Sequence, residues 1–158
     1  MIVDNCEVFE WHLAVLLVFV LATVEIIDKK LLDEVSAQAK ALPRLRKNYN
    51  FHQSLDDLCH RMLNALEPGT EVPIHHHPDK DETFVILRGK IRVTTYNDDG
   101  SVAETVVLSL EDGCYGVNIP KNVWHTLEAL EPNSCIFESK QGPFVPHEVE
   151  GILKVESL

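Results

Sequence analysis

The 158-residue chain predicts an all-β fold, an antiparallel sandwich or barrel of jelly-roll type with one N-terminal α-helix. Three observations predict it. After residue 58 the chain reads as about eight short apolar runs at near-even spacing, separated by turn signals. No helical periodicity interrupts them. Before them lies one amphipathic stretch with a capping residue at its start and a proline at its end.

The helix comes first. From Asp28, Leu31, Val35, Ala39 and Leu42 recur at helical spacing, Asp28 can cap the start, and Pro43 stops the run. About four turns follow from that length. Next, "PRLRKNYNFH" (43–52) carries Arg44, Arg46 and Lys47, the one basic cluster in a chain of net charge −11. A solvated connector is the plainer reading; the functional one is an anion or phosphate contact at a pocket mouth. The strands are then expected in "CHRMLNAL", "EVPIHHH", "ETFVILR", "KIRVTTY", "SVAETVVLSL", "YGVNIP", "VWHTLEAL" and "CIFESK", with "NDDG" (97–100) as a hairpin turn. Four units are expected: a hydrophobic extension 1–24, helix and connector 25–49, barrel 50–145 and tail 146–158.

Composition narrows the function. A strongly acidic chain argues against nucleic acid and against an anionic membrane surface. Cys6, Cys59, Cys114 and Cys135 show no knuckle or redox spacing and fit reduced thiols in the cytosol. The run "WHLAVLLVFVLATV" (11–24) is short for a single-pass span, and acidic residues precede it where a signal peptide is basic. A buried element, an interfacial anchor and sequence upstream of a misplaced start are the three readings; the last is favoured, because the domain pattern begins near Glu25.

Chemistry concentrates in "PIHHHPDKDETFVILRG" (73–89). In an extended segment His75 and His77 share a face and His76 points the other way. Glu82 opens the next strand, and His125 arrives in a separate one within "IPKNVWHTL". Three imidazoles and a carboxylate form a borderline donor set, suited to Fe, Mn, Ni, Co or Zn, with positions open to a ligand. His12, His52, His60 and His147 lack such spacing. Trp124 is read as core, and Arg61, Arg88 and Arg92 as surface or pocket-lining, with parity alone leaving the choice open.

The order Gly69, His75, His77, Glu82, Gly89 resembles the first motif of the cupin superfamily, the double-stranded β-helix. A second motif is matched by Gly113, Pro120 and His125, with Asn122 where glycine is usual, Ala129 where asparagine is usual, and a Gly113-to-Pro120 spacing one residue longer than usual. The resemblance implies one divalent metal on His75, His77, Glu82 and His125. "SAQAKALPRLRKNYNFH", "RMLNALEPGT", "HHHPDKDETFVILRGK" and "IPKNVWHTLEALEP" are similar to the WbuC family of small cupin metalloproteins, over about residues 26–145. Its members occur with genes for O-antigen and other surface polysaccharides, and cupins often pair into homodimers.

The expectation is therefore a cytoplasmic metal-binding cupin acting on a sugar or sugar-nucleotide precursor, isomerase- or epimerase-like. Tyr49 and His52 are the candidate proton-transfer groups, and Arg44, Arg46 and Lys47 the anion contacts. The competing readings are a non-haem iron dioxygenase and a non-catalytic sugar- or metabolite-binding module. A nucleophilic hydrolase is set aside, since no Gly-x-Ser-x-Gly elbow occurs.

Overall fold

A computed structural model describes residues 24–146 and 151–154. The expectation for residues 1–24 lies outside these, apart from Val24. Among the described residues no helix is long and apolar enough to cross a membrane.

Helix α1 spans Lys29–Ala41, and Asp28 caps it: its Oδ1 accepts the Leu31 N–H at 2.9 Å. Eight strands follow: β1 Arg46–Asn50, β2 Cys59–Leu66, β3 Glu82–Arg88, β4 Lys90–Tyr96, β5 Val102–Ser109, β6 Gly116–Ile119, β7 Trp124–Ala129 and β8 Ser134–Gln141. They form two antiparallel sheets, ordered β1-β2-β8-β3-β6 and β5-β4-β7. Strand alternation divides the residues. Phe84, Ile86, Ile91, Val93, Leu108, Leu127 and Ile136 fill the space between the sheets. Leu63, Ala65 and Cys135 face outward and are covered by Leu32, Val35 and Ala39 of α1. This is the all-β antiparallel sandwich with one N-terminal helix that the sequence predicts.

Two elements differ from expectation. The connector at 43–52 contains β1, paired with β2 in register from Arg46↔Leu66 to Asn50↔Met62. It is polar because it is an edge strand whose inner face borders a cavity, so hydrophobic alternation does not announce it. Conversely, "EVPIHHH" is not a ladder strand. Only His75 bridges, to His125 and to Ile152. Pro73 has no N–H to give, and the segment lies along β7 by a few contacts instead. His75 and His125 exchange N–H···O bonds at 3.0 and 2.8 Å, the Asn122 N–H donates to His77 O, and the Thr126 hydroxyl to Val72 O. On its other side Leu153 N–H donates to Ile74 O at 2.9 Å, so part of the expected tail lies against the histidine segment.

The turns agree with the residues that make them. Asn97 and Ser101 close the hairpin at 2.9 Å, with Gly100 at φ 83°. Gly89 has φ 74°, and a Cβ there would lie 2.8 Å from Ser134 Cα. Asn122, where the resemblance calls for glycine, takes φ 64°. Asparagine enters the left-handed region more readily than other non-glycine residues, so the turn before His125 survives the departure.

Candidate metal centre

Four side chains from three segments converge beside a cavity, two of them, His75 and Glu82, lining its floor. His75, His77, Glu82 and His125 are each at most 4% exposed, and each offers a ligand atom within 4.8 Å of the others. Glu82 begins β3 and His125 follows the first residue of β7, both at inward positions. The His75–His125 bridge pulls the histidine segment against β7, bringing their rings to 4.3 Å between centroids. Alternation turns His76 away, onto Trp124 at 3.9 Å. Trp124 is thereby part of an outer stack and donates its Nε1–H to Asp98 at 3.0 Å.

Hydrogen bonds assign the tautomers. His75 Nδ1 lies 2.9 Å from Pro73 O and His125 Nδ1 2.9 Å from Val123 O. A carbonyl only accepts, so each Nδ1 carries the proton and each Nε2 turns a lone pair inward. Yet His125 Nε2 lies 3.0 Å from Glu82 Oε2, and His77 Nε2 3.3 Å from Glu82 Oε1. For His125, whose Nδ1 carries the proton, an inward lone pair facing the buried carboxylate at that distance favours a cation shared between them. The donor set fits a divalent ion of borderline hardness.

Behind the carboxylate stands a group that sequence reading missed. Lys140 faces Glu82 directly across the β3–β8 ladder, and its Nζ donates to Glu82 Oε1 at 2.6 Å and to Glu138 Oε1 at 2.9 Å. Glu138 in turn accepts from the Asn64 amide. Burial opposes ionisation of Glu82, but Lys140 and the His125 and His77 contacts outweigh it and hold the carboxyl well below its ordinary range. Glu138 goes the other way: burial, then the neighbouring Glu82 charge, pushes it up to about 7. Burial opposes the charge on Lys140, but the two carboxylates outweigh it and raise its pKa. The signal was present in "CIFESK", where two charged residues, Glu138 and Lys140, stand two apart and share one face of a largely apolar strand. Only the register shows that they face the histidines.

The cavity has a volume of about 340 Å³ and opens between the inner faces of β1, β2 and β8. His75 and Glu82 lie on its floor; Phe84, Leu127 and Ile136 make an apolar wall. Arg44, Arg46 and His52 line it; Lys47 and Tyr49 do not. Parity is the reason. Arg46, Asn48 and Asn50 project inward from β1, whereas Tyr49 packs under the helix and its hydroxyl donates to Glu25 at 2.8 Å. Of the two expected proton-transfer candidates, only His52 reaches the cavity, and of the three basic residues only Arg44 and Arg46. Arg88 and Arg92 serve elsewhere, in ion pairs with Asp33 and Glu128. The described cysteines, Cys59, Cys114 and Cys135, are free.

A family model described as "Domain of unknown function (DUF6016)" matches residues 27–108. The uncharacterized protein YdbB of Bacillus subtilis (strain 168) is 35% identical over 102 residues, which cover 63% of this chain and 80% of that protein. Among solved structures, the conserved SPY1581 protein of unknown function from Streptococcus pyogenes superposes with a TM-score of 0.53 at 16% identity, over 79% of this chain and 93% of its own. The cupin domain of Schizosaccharomyces pombe Cnp3 gives a TM-score of 0.49 at 15% identity, over 61% of this chain and 64% of that one. At 16% identity the likeness to the SPY1581 protein is one of fold.

Proposed function

The chain belongs to the DUF6016 family, and from that premise we propose that it is a metal-dependent cupin that acts on a sugar derivative. One observation carries the reading: the inward convergence of His75, His77, Glu82 and His125, with ligand atoms within 4.8 Å, beneath a cavity large enough for a small molecule. These four residues would hold one divalent transition metal. When bound, such an ion supplies Lewis acidity toward a carbonyl or vicinal hydroxyls.

The protein's own groups do the rest. The carbonyls of Pro73 and Val123 orient two imidazoles, and Lys140 keeps Glu82 ionised and aimed. The apolar wall of Phe84, Leu127 and Ile136 limits water around the floor. His52, which lines the cavity, would take or give the proton in this reading. Isomerisation or epimerisation is the reaction class this arrangement suits, because it needs a polarised carbonyl and one proton shuttle and no further reactant. A place in O-antigen or other surface-polysaccharide assembly rests on the resemblance to WbuC proteins.

Elemental analysis of protein purified without a histidine tag tests the metal. About one equivalent of a divalent transition ion is expected. The loaded protein is then offered ketoses, aldoses and sugar nucleotides, followed by proton exchange into product in deuterated water. Metal-dependent exchange supports the isomerase reading. Oxygen uptake with Fe(II), lost under nitrogen, would replace it with a dioxygenase, and tight binding without exchange or oxygen uptake with a binding module.

A further inference from the structure

The upper part of the cavity is furnished for a ligand that the metal corner alone does not explain. Arg46 projects inward from β1 with Arg44 beside it, and among the described residues neither makes an ion pair. In a chain of net charge −11 a carboxylate partner is easy to supply, as Arg88 and Arg92 show. Two guanidiniums left together at one mouth repel each other and attract an anion. A second observation is independent of them. His52 is only 7% exposed, lines the same cavity, and its Nε2 is buried with no hydrogen-bond partner. Its Nδ1 is occupied by the Arg61 backbone at 3.1 Å, and its ring is stacked on His60 at 4.1 Å with planes 6° apart. The orphan nitrogen is therefore fixed in place at the cavity wall, a buried polar group that a ligand's oxygen would satisfy.

We propose that the cavity takes a monosaccharide-sized anion, a sugar acid or a sugar phosphate. Its carboxylate or phosphate meets Arg44 and Arg46, a ring or chain oxygen meets His52 Nε2, and its other end lies against the His75 and Glu82 corner. The volume of about 340 Å³ stands at the low end of the roughly 300–1,000 Å³ typical of ligand pockets, room for one ring and one anionic group rather than a sugar nucleotide. The idea rests on the proposed function for its ligand's far end, and narrows the substrate class from sugar derivatives in general.

Isothermal titration of the full chain, with its metal content measured first, tests this with D-glucose 6-phosphate, D-ribose 5-phosphate, D-glucuronate, neutral D-glucose, inorganic phosphate and UDP-glucose. At least one of the three sugar anions is expected to bind tenfold or more tightly than glucose, phosphate and UDP-glucose. Arg46→Met is expected to weaken that ligand tenfold or more and His52→Phe several-fold, at unchanged metal content. Arg44→Met, at an exposed position, repeats the charge test where Arg46→Met does not fold. Phosphoester and carboxylate are told apart by which probe binds. The proposal is overturned if no sugar anion exceeds glucose, if inorganic phosphate or UDP-glucose binds as tightly, or if the arginine variants bind like the parent chain. A metal-free parent chain that still binds a sugar anion through Arg44 and Arg46 would remove the metal reading and leave this one standing.

Discussion

Single side chains here owe their roles to which face of a strand they occupy. His75 and His77 look identical to His76 in sequence, yet the first two turn toward Glu82 and His125 and the third stacks on Trp124. His77→Ala is expected to remove most of the bound metal, while His76→Ala leaves metal content nearly unchanged, both read by elemental analysis; equal losses would refute the face assignment. Lys140 is the other decisive side chain. It is 12% exposed and bridges Glu82 and Glu138, so Lys140→Met leaves two buried carboxylates facing each other. Breaking a buried ion network from one side costs about 3–5 kcal/mol, to be read as a lower urea midpoint of the metal-free protein. Replacing Glu138 as well, by Leu, should recover only part of the loss, because it removes the repulsion between the carboxylates but leaves Glu82 buried without its lysine.

At the scale of elements, the helix is held by one strand residue as much as by its apolar face. Arg88, at the end of β3, donates to Leu32 O at 2.9 Å, to Ser36 Oγ at 2.6 Å and to Asn133 O at 2.9 Å, and pairs with Asp33 at 2.6 Å. Arg88→Met should therefore cost about 1–3 kcal/mol through orphaned acceptors and speed proteolysis at Lys29 and Lys30, while Arg92→Met, on a surface pair, costs less than 1. The same contact has a pH signature. Lys29, then Arg88, lowers the Asp33 pKa below its ordinary value, so the folded state binds fewer protons than the unfolded one in acid. The stabilisation is present above the ordinary aspartate range and is lost as pH falls through the depressed folded value. Protease protection of α1 should fall with it, and Asp33→Asn should flatten that dependence.

For the whole molecule, the cluster of His75, His77, Glu82 and His125 joins parts distant in sequence, and a metal held there would act as a clasp. The cluster ties the 73–77 segment to β3 of one sheet and β7 of the other. A ligand that binds only the folded state stabilises it by about 2.7 kcal/mol at a hundredfold excess over its dissociation constant. Adding the native ion is expected to raise the melting temperature and a chelator to lower it; His77→Ala should abolish both responses. No dependence on either would count against a bound ion.

How much of this was legible follows from the physics of each element. Alternating apolar strands, the Asp28 cap and Pro43, and the Asn97–Gly100 turn depend on neighbours in sequence, so seven of the eight strands and the helix were readable in the chain. The histidine and glutamate spacing was readable too, because it is local to one turn and two short segments. Strand β1 was not, since a polar edge strand has no hydrophobic period, nor was the absence of a ladder at 71–77. The sequence by itself determined the sandwich, its helix and the four donors. The tertiary structure alone decided that Lys140 stands behind Glu82, that His52 reaches the cavity and Tyr49 does not, and that Arg46 parts company with Lys47. Those depend on long-range register, and a one-residue change in pairing would send Lys140, Tyr49, Arg46 and Lys47 to the opposite faces of their strands.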